Sequence, residues 1–317
     1  MTHRGAGRFA PTPSGQLHLG NLRTAVLAWL FARSTGRRFL IRVEDLDRVR
    51  AGAEAEHLAE LAALGLTPDS PVTRQSEQGE RYDRALDHLR GRGLVYECFC
   101  TRRDVAEAAS APHARTGFYP GTCRDLDEGE RERRRALRAP ALRLRSGVDS
   151  WSVTDLLAGR TEGPVDDLVL RRNDGVIAYN LAVVVDDAAD GIDQVVRGDD
   201  LLDSAPRQAH LASLLGLPAP AYAHVPLAVT GSGRRLAKRD GAVTLEDLAA
   251  LGRTAPEVLE LLLTSLGLPG SSLEDALAVF APDALPQIPW VVDPAVLSST
   301  PAPPACNPSV PTDKVSP

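Results

Sequence analysis

The stretch that most limits what this chain can fold into is residues 8–21, RFAPTPSGQLHLGN, which an apolar helix follows. Residues 8–10 read as the end of a first strand. Pro11 and Pro13 fix their own φ and bias the residue before each to extended backbone, so the chain turns between strand and helix. From Gly20 onward Leu22, Val26, Trp29 and Leu30 recur at helical spacing, with an end expected near Ser34 or Thr35 ahead of Gly36. His18, Leu19, Gly20 and Asn21 therefore fall at or near the first helical turn. A helix start offers unpaired N–H groups and positive dipole charge, which suit an anion and a phosphate in particular. His18 can donate to a phosphate oxygen, and Gly20 has no side chain to keep a flat base off the backbone.

With 317 residues, 43% of them hydrophobic, the chain can bury a large core and is expected to form more than one domain. No charged stretch leads into an apolar run and cleavage site at the N-terminus, and no apolar segment reaches the ~20 residues that span a bilayer. The expectation is a cytoplasmic protein with no membrane partner. A formal net charge of -6 argues against a protein that coats nucleic acid non-specifically, while leaving room for a local basic groove. Four cysteines, two of them in CFC, fit a metal site in a reducing compartment better than a disulfide framework.

Residues 37–43, RRFLIRV, form the next expected strand. It ends in EDLD, so Glu44, Asp45 and Asp47 either make a solvated acidic turn or sit at the strand edge where open parallel sheets bind ligands. Residues 54–64 and 81–89 are amphipathic helices whose apolar faces are core stripes. After a strand-like LVYECFC, Cys98, Cys100 and Cys123, with Tyr119 or His113, can bring four donors to one zinc ion; reduced thiols without metal are the alternative. Residues 131–145 carry seven arginines and read as a solvated helix face. Asn173, Asp174 and Gly175 signal a hairpin turn between residues 168–170 and 176–179. Residues 181–187, LAVVVDD, fit a buried parallel strand ending in carboxylates. VVRGDDLLDSAPRQ reads as strand, glycine turn and helix start, and Arg197 faces the same edge as Glu44, where it can pair a carboxylate in bidentate fashion. Residues 231–233 make a flexible loop ahead of RLAKR, and a short helix starts at Glu257. Beyond Pro286 the proline-rich stretch cannot build a core and is expected to be disordered, with Cys306 a free thiol.

HLGN preceded by APTPSG resembles the HIGH motif of class I aminoacyl-tRNA synthetases, in the form found in the glutamyl subgroup. Four separated motifs carry this resemblance over roughly residues 5–270. RVEDLD stands for the usual R-[IV]-E-D-T-D, which implies that Glu44 takes the substrate's ammonium group. Segment 167–208 closely resembles its counterpart and implies Tyr179 and Arg197 as glutamate contacts. Arg8, Phe9, Ala10, Pro11 and Thr12 complete that implied site, with Arg8 at the amino acid's carboxylates. RLAKR stands where the family has its KMSKS loop, so Lys238 is the implied catalytic lysine, neutralising charge on the α-phosphate and the departing pyrophosphate. His18 shares the implied catalysis, and His18, Gly20, Asn21 and Lys238 are the implied ATP contacts. Two departures stand out: Ala237 replaces the loop's serine between Arg235 and Arg239, and Asn21 stands where the family often has histidine.

C-x-C followed by Y-x-x-x-C is similar to the pattern of a shorter branch of the family and implies Tyr119 as fourth zinc ligand beside Cys98, Cys100 and Cys123. A full glutamyl-tRNA synthetase continues into an anticodon-binding region, which this chain is expected to lack. The shorter branch is implied to attach glutamate to queuosine in the anticodon loop of tRNA(Asp). The implied fold is α/β, a Rossmann-like doubly wound parallel sheet with a small zinc-binding insertion and a short helical stem. Residues 1–95 and 167–230 are its expected halves, 96–166 the insertion, 231–284 the loop and stem, and 285–317 the tail. Implied partners are ATP with Mg2+, L-glutamate and queuosine-containing tRNA(Asp); the implied cofactor is a structural Zn2+, and the chain a monomer. In the implied chemistry glutamate's α-carboxylate attacks the α-phosphorus of ATP and expels pyrophosphate. A queuosine hydroxyl then takes the glutamyl group and releases AMP, with no general base assigned. Charging of a tRNA 3′ end, nucleotidyl transfer without glutamate, and non-catalytic tRNA binding are the alternatives.

Overall fold

The computed structural model describes residues 5–109, 118–234, 236, 243–269 and 272–292. The chain opens with β1 (Ala6–Phe9), α1 (Leu19–Ser34), β2 (Arg38–Val43), α2 (Ala53–Ala63), β3 (Thr73–Arg74) and α3 (Gly79–Gly91). A middle region holds β4 (Val95–Cys98), α4 (Arg102–Ala109), α5 (Glu128–Leu137), β5 (Ala141–Leu144), β6 (Ser150–Asp155), β7 (Gly159–Pro164) and β8 (Val169–Arg171). It is followed by α6 (Tyr179–Ala189), β9 (Ile192–Gly198), α7 (Ala205–Leu215), β10 (Ala221–Val225) and β11 (Ala228–Val229). Last come α8 (Leu245–Ala250), α9 (Ala255–Thr264), α10 (Leu273–Val279) and β12 (Trp290–Val291).

Seven strands form one sheet in the order β3-β2-β1-β9-β10-β6-β7, parallel except for the β6–β7 pair. Strand order reverses between β1 and β9, the point at which such sheets open a ligand crevice beyond their C-terminal ends. This is the expected doubly wound α/β architecture. α1 fills the space between the sheet and α9 and α10, which is why eleven of its sixteen residues are buried and its apolar positions run all round. Phe31 meets Phe280 edge-on there, with ring centroids 5.2 Å apart. Among the described residues no helix is long and apolar enough to cross a membrane.

The structure corrects several expectations. Residues 181–187 belong to helix α6, not to a strand. A short apolar run looks the same whether a helix or a strand is buried on all sides, and here all seven residues are buried. The strand of this region is the next segment, β9. The Asn173–Gly175 turn is present, with the Arg172 N–H donating to Val176 O at 2.8 Å, but its second arm is one bridge at Ile177 before α6 begins. Residues 150–164, expected within the insertion, are an edge hairpin of the main sheet, joined through Asp155 and Tyr222. The arginine run is not one helix face: Arg133, Arg134 and Arg135 on α5 pair with Glu130, Glu128 and Glu97, whereas Arg143 is a buried residue of β5. Past Pro286 the chain is ordered at least to Val292, because β12 pairs in parallel with β11 and buries Val292. Residues 293–317, Cys306 included, lie outside the described residues.

Candidate active site

A cavity of about 1120 Å³ opens beyond the C-terminal ends of β1, β2 and β9. Phe9, Ala10, Pro11, Thr12, His18, Gly20, Asn21, Glu44, Tyr179 and Arg197 all line it, so residues 188 positions apart in sequence share one wall system. The Pro-rich turn is tied to the strand beside it: Pro11 O accepts from Glu44 N–H at 3.0 Å and Pro13 O from Arg50 N–H at 2.8 Å. Pro11 and Pro13 thus supply acceptors while lacking the donor that a longer sheet ladder would need.

His18 is the N-cap of α1. Its Nδ1 accepts from Asn21 N–H at 3.3 Å, and Asn21 Oδ1 accepts from His18 N–H at 3.2 Å, a reciprocal capping box. An accepting Nδ1 leaves the ring proton on Nε2 in the neutral imidazole. Asn21 is therefore a capping residue as well as part of the cavity wall. Gly20 has a packing reason: a Cβ there would stand 3.1 Å from the His18 ring and 3.3 Å from the Ala228 Cβ. Leu19 N–H is taken by Val243 O at 3.0 Å, so two amides of the helix's first turn are already committed.

Arg8 is the exception among the expected contacts. It lies beneath the cavity wall, buried, with Nε and Nη2 both donating to the Asp187 carboxylate at 3.2 Å. Arg42, fully buried, stands beside it, 2.7 Å from Asp187, 3.5 Å from Asp190 and 3.6 Å from Glu44. Asp186 accepts from Tyr82 Oη at 2.7 Å and Gln75 Nε2 at 3.1 Å, and pairs with Arg81 at 3.0 Å. Burial pushes the Asp187 carboxyl up, but Arg8 and Arg42 outweigh it and hold the group below the usual carboxylate range. Glu44 goes the other way: burial raises it against the pull of Arg42 and Arg8, and its Oε1 has no hydrogen-bond partner among the described residues.

On the opposite strand Arg197 is 5% exposed, and burial lowers its affinity for its proton. Nε donates to His224 Nε2 at 3.0 Å, Nη1 to Gln208 Oε1 at 2.8 Å and Nη2 to Leu201 O at 3.2 Å. No carboxylate is among these partners. His224, Gln208 and Asp155 carried no motif that sequence reasoning could use, and Asp155 lay in a segment expected to belong to the insertion.

Lys238, Arg235, Ala237 and Arg239 lie outside the described residues, as does His113. The described residues on either side of positions 237–242 are anchored near α1. Leu236 lines the cavity and donates from its N–H to Ala228 O at 3.2 Å, and Thr244 makes an isolated bridge to His18.

The sulfur atoms of Cys98, Cys100 and Cys123 lie within 4.8 Å of one another. Tyr119 Oη is 3.3 Å from Cys98 Sγ and 3.9 Å from Cys100 Sγ, and it accepts from Cys123 N–H at 2.8 Å. Three thiols and a phenol oxygen converging on one point, two of the thiols buried, match the four-donor, sulfur-rich set that zinc prefers. Burial pushes the Cys100 thiol up to about 12, aided by Cys98 and Cys123, so in the free protein it holds its proton. Tyr119 is also cavity wall, with the Arg143 guanidinium 3.7 Å above its ring.

Residues 6–286 match the family described as tRNA synthetases class I (E and Q), catalytic domain. The chain is 62% identical over 289 residues to a glutamyl-Q tRNA(Asp) synthetase of Nocardia farcinica, covering 91% of this chain and 93% of that protein. It is 53% identical over 277 residues to one from Cutibacterium acnes, covering 84% of this chain and 79% of that protein. Its fold is similar to that of a glutamate tRNA ligase from Elizabethkingia meningosepticum, with a TM-score of 0.78 at 24% identity over 93% of this chain and 68% of that one. The glutamate-tRNA synthetase of Elizabethkingia anophelis gives 0.79 at 24% identity over 93% and 69%.

Proposed function

The chain belongs to the class I tRNA synthetases (E and Q) by its catalytic domain, and from that premise we propose that it activates glutamate with ATP and transfers it to queuosine in the anticodon loop of tRNA(Asp). One observation carries the reading of the amino-acid pocket. Glu44, a buried carboxylate whose Oε1 accepts no hydrogen bond among the described residues and has Arg42 only at 3.6 Å, and Arg197, a buried guanidinium contacting only neutral acceptors, line the same cavity. A ligand bearing both an ammonium and carboxylates satisfies the two together. Tyr179 stands in the cavity with them, and Arg8 acts from behind by holding Asp187.

In the first step an oxygen of glutamate's α-carboxylate bonds to the α-phosphorus of ATP, and the bond to the pyrophosphate oxygen breaks. Catalysis here is positioning and charge neutralisation, with no protein nucleophile. His18 Nε2–H donates to a phosphate oxygen and Lys238 neutralises charge on the departing pyrophosphate. Mg2+ accompanies ATP and offsets phosphate charge. In the second step a hydroxyl of the queuosine ring bonds to the acyl carbon, the bond from that carbon to the phosphate oxygen breaks, and AMP leaves while the hydroxyl proton passes to the departing phosphate or to solvent. Cys98, Cys100, Cys123 and Tyr119 would hold a structural zinc ion, which would supply folding energy to the segment that brings Arg102, Val105 and Tyr119 to the cavity.

ATP–pyrophosphate exchange is expected with glutamate and with no other amino acid, and is expected to vanish in Lys238→Ala. Equal exchange with every amino acid, or an unaffected Lys238→Ala, overturns the reading. With tRNA(Asp), nuclease digestion and mass spectrometry are expected to find labelled glutamate on the anticodon base; label on the terminal ribose would select 3′-end charging instead. The purified protein is also expected to carry one zinc per chain. Cys123→Ser should lower the metal content and cost about 2–4 °C of melting temperature for each kcal/mol lost. An unchanged zinc content in that variant would place the ion elsewhere.

A further inference from the structure

Three neighbouring strands, β9, β10 and β6, each contribute one polar residue to a line of contacts that ends at the cavity. Arg197 and His224 are register partners on β9 and β10, and Asp155 closes β6 beside them. Arg197 Nε donates to His224 Nε2 at 3.0 Å, so that nitrogen carries no proton. The imidazole proton is then on Nδ1, which donates to Asp155 Oδ2 at 2.6 Å. Asp155 is itself fixed by main chain: Oδ2 also accepts His224 N–H at 3.1 Å, and Oδ1 accepts Leu157 and Ala158 N–H, each at 2.9 Å. The side chains of His224 and Asp155 are 1% and 0% exposed.

The arrangement solves a specific problem. A buried arginine needs acceptors to stay in place, but a carboxylate in direct contact would neutralise it and compete with an anionic ligand. Here the first acceptors are a ring nitrogen, the Gln208 amide oxygen and the Leu201 carbonyl, all neutral. The anion stands one imidazole further back. Gln208 is oriented in turn by donating to Asn180 Oδ1 at 3.0 Å.

We propose that Asp155 and His224 are positioning residues: Asp155 fixes the Nδ1–H tautomer of His224, which aims Arg197 into the cavity while leaving its charge for a carboxylate of the substrate. The proposal rests on the reading of Arg197 as a contact for that carboxylate. It goes beyond that reading by assigning two residues that touch no substrate and by making a tautomer, not a charge, the quantity that is controlled.

The test compares Arg197→Lys, His224→Leu, His224→Gln and Asp155→Asn in the full chain by glutamate-dependent ATP–pyrophosphate exchange. His224→Leu removes the acceptor and is expected to raise the KM for glutamate about tenfold, with the KM for ATP unchanged and kcat changed far less. His224→Gln can still offer an oxygen to Arg197 and is expected to restore most of the loss. Asp155→Asn places an N–H where His224 needs an acceptor, so 15N NMR of labelled histidine should show His224 leaving the Nδ1–H form as the glutamate KM rises. A merely structural role moves melting temperature and all kinetic constants together, without the tautomer signature. If Arg197→Lys leaves the glutamate KM unchanged, the substrate-contact reading fails and the proposal with it. If Arg197→Lys raises that KM while His224→Leu and Asp155→Asn do not, or if Asp155→Asn keeps the tautomer, the positioning role alone is overturned. Should His224→Leu fail to fold, Asp155→Asn and His224→Gln decide the question by the same readouts.

Discussion

Replacing Glu44 with glutamine is expected to make the ligand-free protein more heat-stable at neutral pH and to cut glutamate-dependent pyrophosphate exchange about a hundredfold or more. The two effects share one cause. Glu44 is 8% exposed, its Oε1 has no hydrogen-bond partner among the described residues, and the closest guanidinium, that of Arg42, is 3.6 Å away. Burial raises its pKa despite Arg42 and Arg8, and Asp187 and Asp186 reinforce the rise. The sign follows by linkage: a carboxyl whose pKa is higher in the folded state than its unfolded value of about 4.3 favours folding at acid pH, and this advantage is lost as pH rises past that value. The ionised group is therefore a net cost to the folded protein at neutral pH. Glutamine removes the charge at nearly constant volume, so the stability gain should be present at pH 7 and disappear below about pH 4. Thermal melts at the two pH values check the first half, and exchange assays with glutamate titrations check the second. A lower melting temperature for Glu44→Gln at neutral pH would show that Arg42 already satisfies the charge.

The second large effect is expected at His18, where two roles can be separated. His18→Ala removes the N-cap acceptor of α1, worth about 0.5–2 kcal/mol, together with the Nε2–H donor of a ring that lines the cavity. His18→Asn restores a good cap and still lacks the donor in the ring's place. Both variants are expected to lose about a hundredfold to a thousandfold in kcat for pyrophosphate exchange, the effect of removing one preorganised donor to developing charge. Only His18→Ala is expected to melt lower. A kcat for His18→Asn close to that of the unaltered protein would reduce His18 to a capping residue.

Much of this geometry was legible because the signals are local. The strand, proline turn and helix of residues 6–34 announce themselves through proline chemistry and a 3.6-residue apolar period, and β1 and α1 fall where that pattern puts them. Glu44 and Arg197 could be paired in advance because one follows β2 and the other lies next to the end of β9, strands of a parallel sheet whose C-terminal ends share one edge. What stayed hidden depends on partners distant in sequence. Val183, Val184 and Val185 favour a strand by shape, yet α6 buries them among α3, α7 and β9. Arg8 carries the right charge for a ligand carboxylate, but Asp187, 179 positions away, takes it first. Asp155 and His224 sit in unremarkable strand sequence, and only the adjacency of β6 and β10 gives them a joint role.

Beneath the cavity, Arg8, Arg42 and Arg81 interlock with Glu44, Asp186, Asp187 and Asp190, three guanidinium groups against four carboxylates. With every member ionised, the network is one cation short of neutral, and burial works against that full ionisation by raising Glu44 and Asp190. In the proposed reading a primary amine docking at Glu44 closes that deficit, which would make affinity for an amino group a collective property of β1, β2, α3 and α6 and not of one side chain. Transplanting Glu44 alone onto another scaffold would carry the contact across but leave the electrostatic deficit behind.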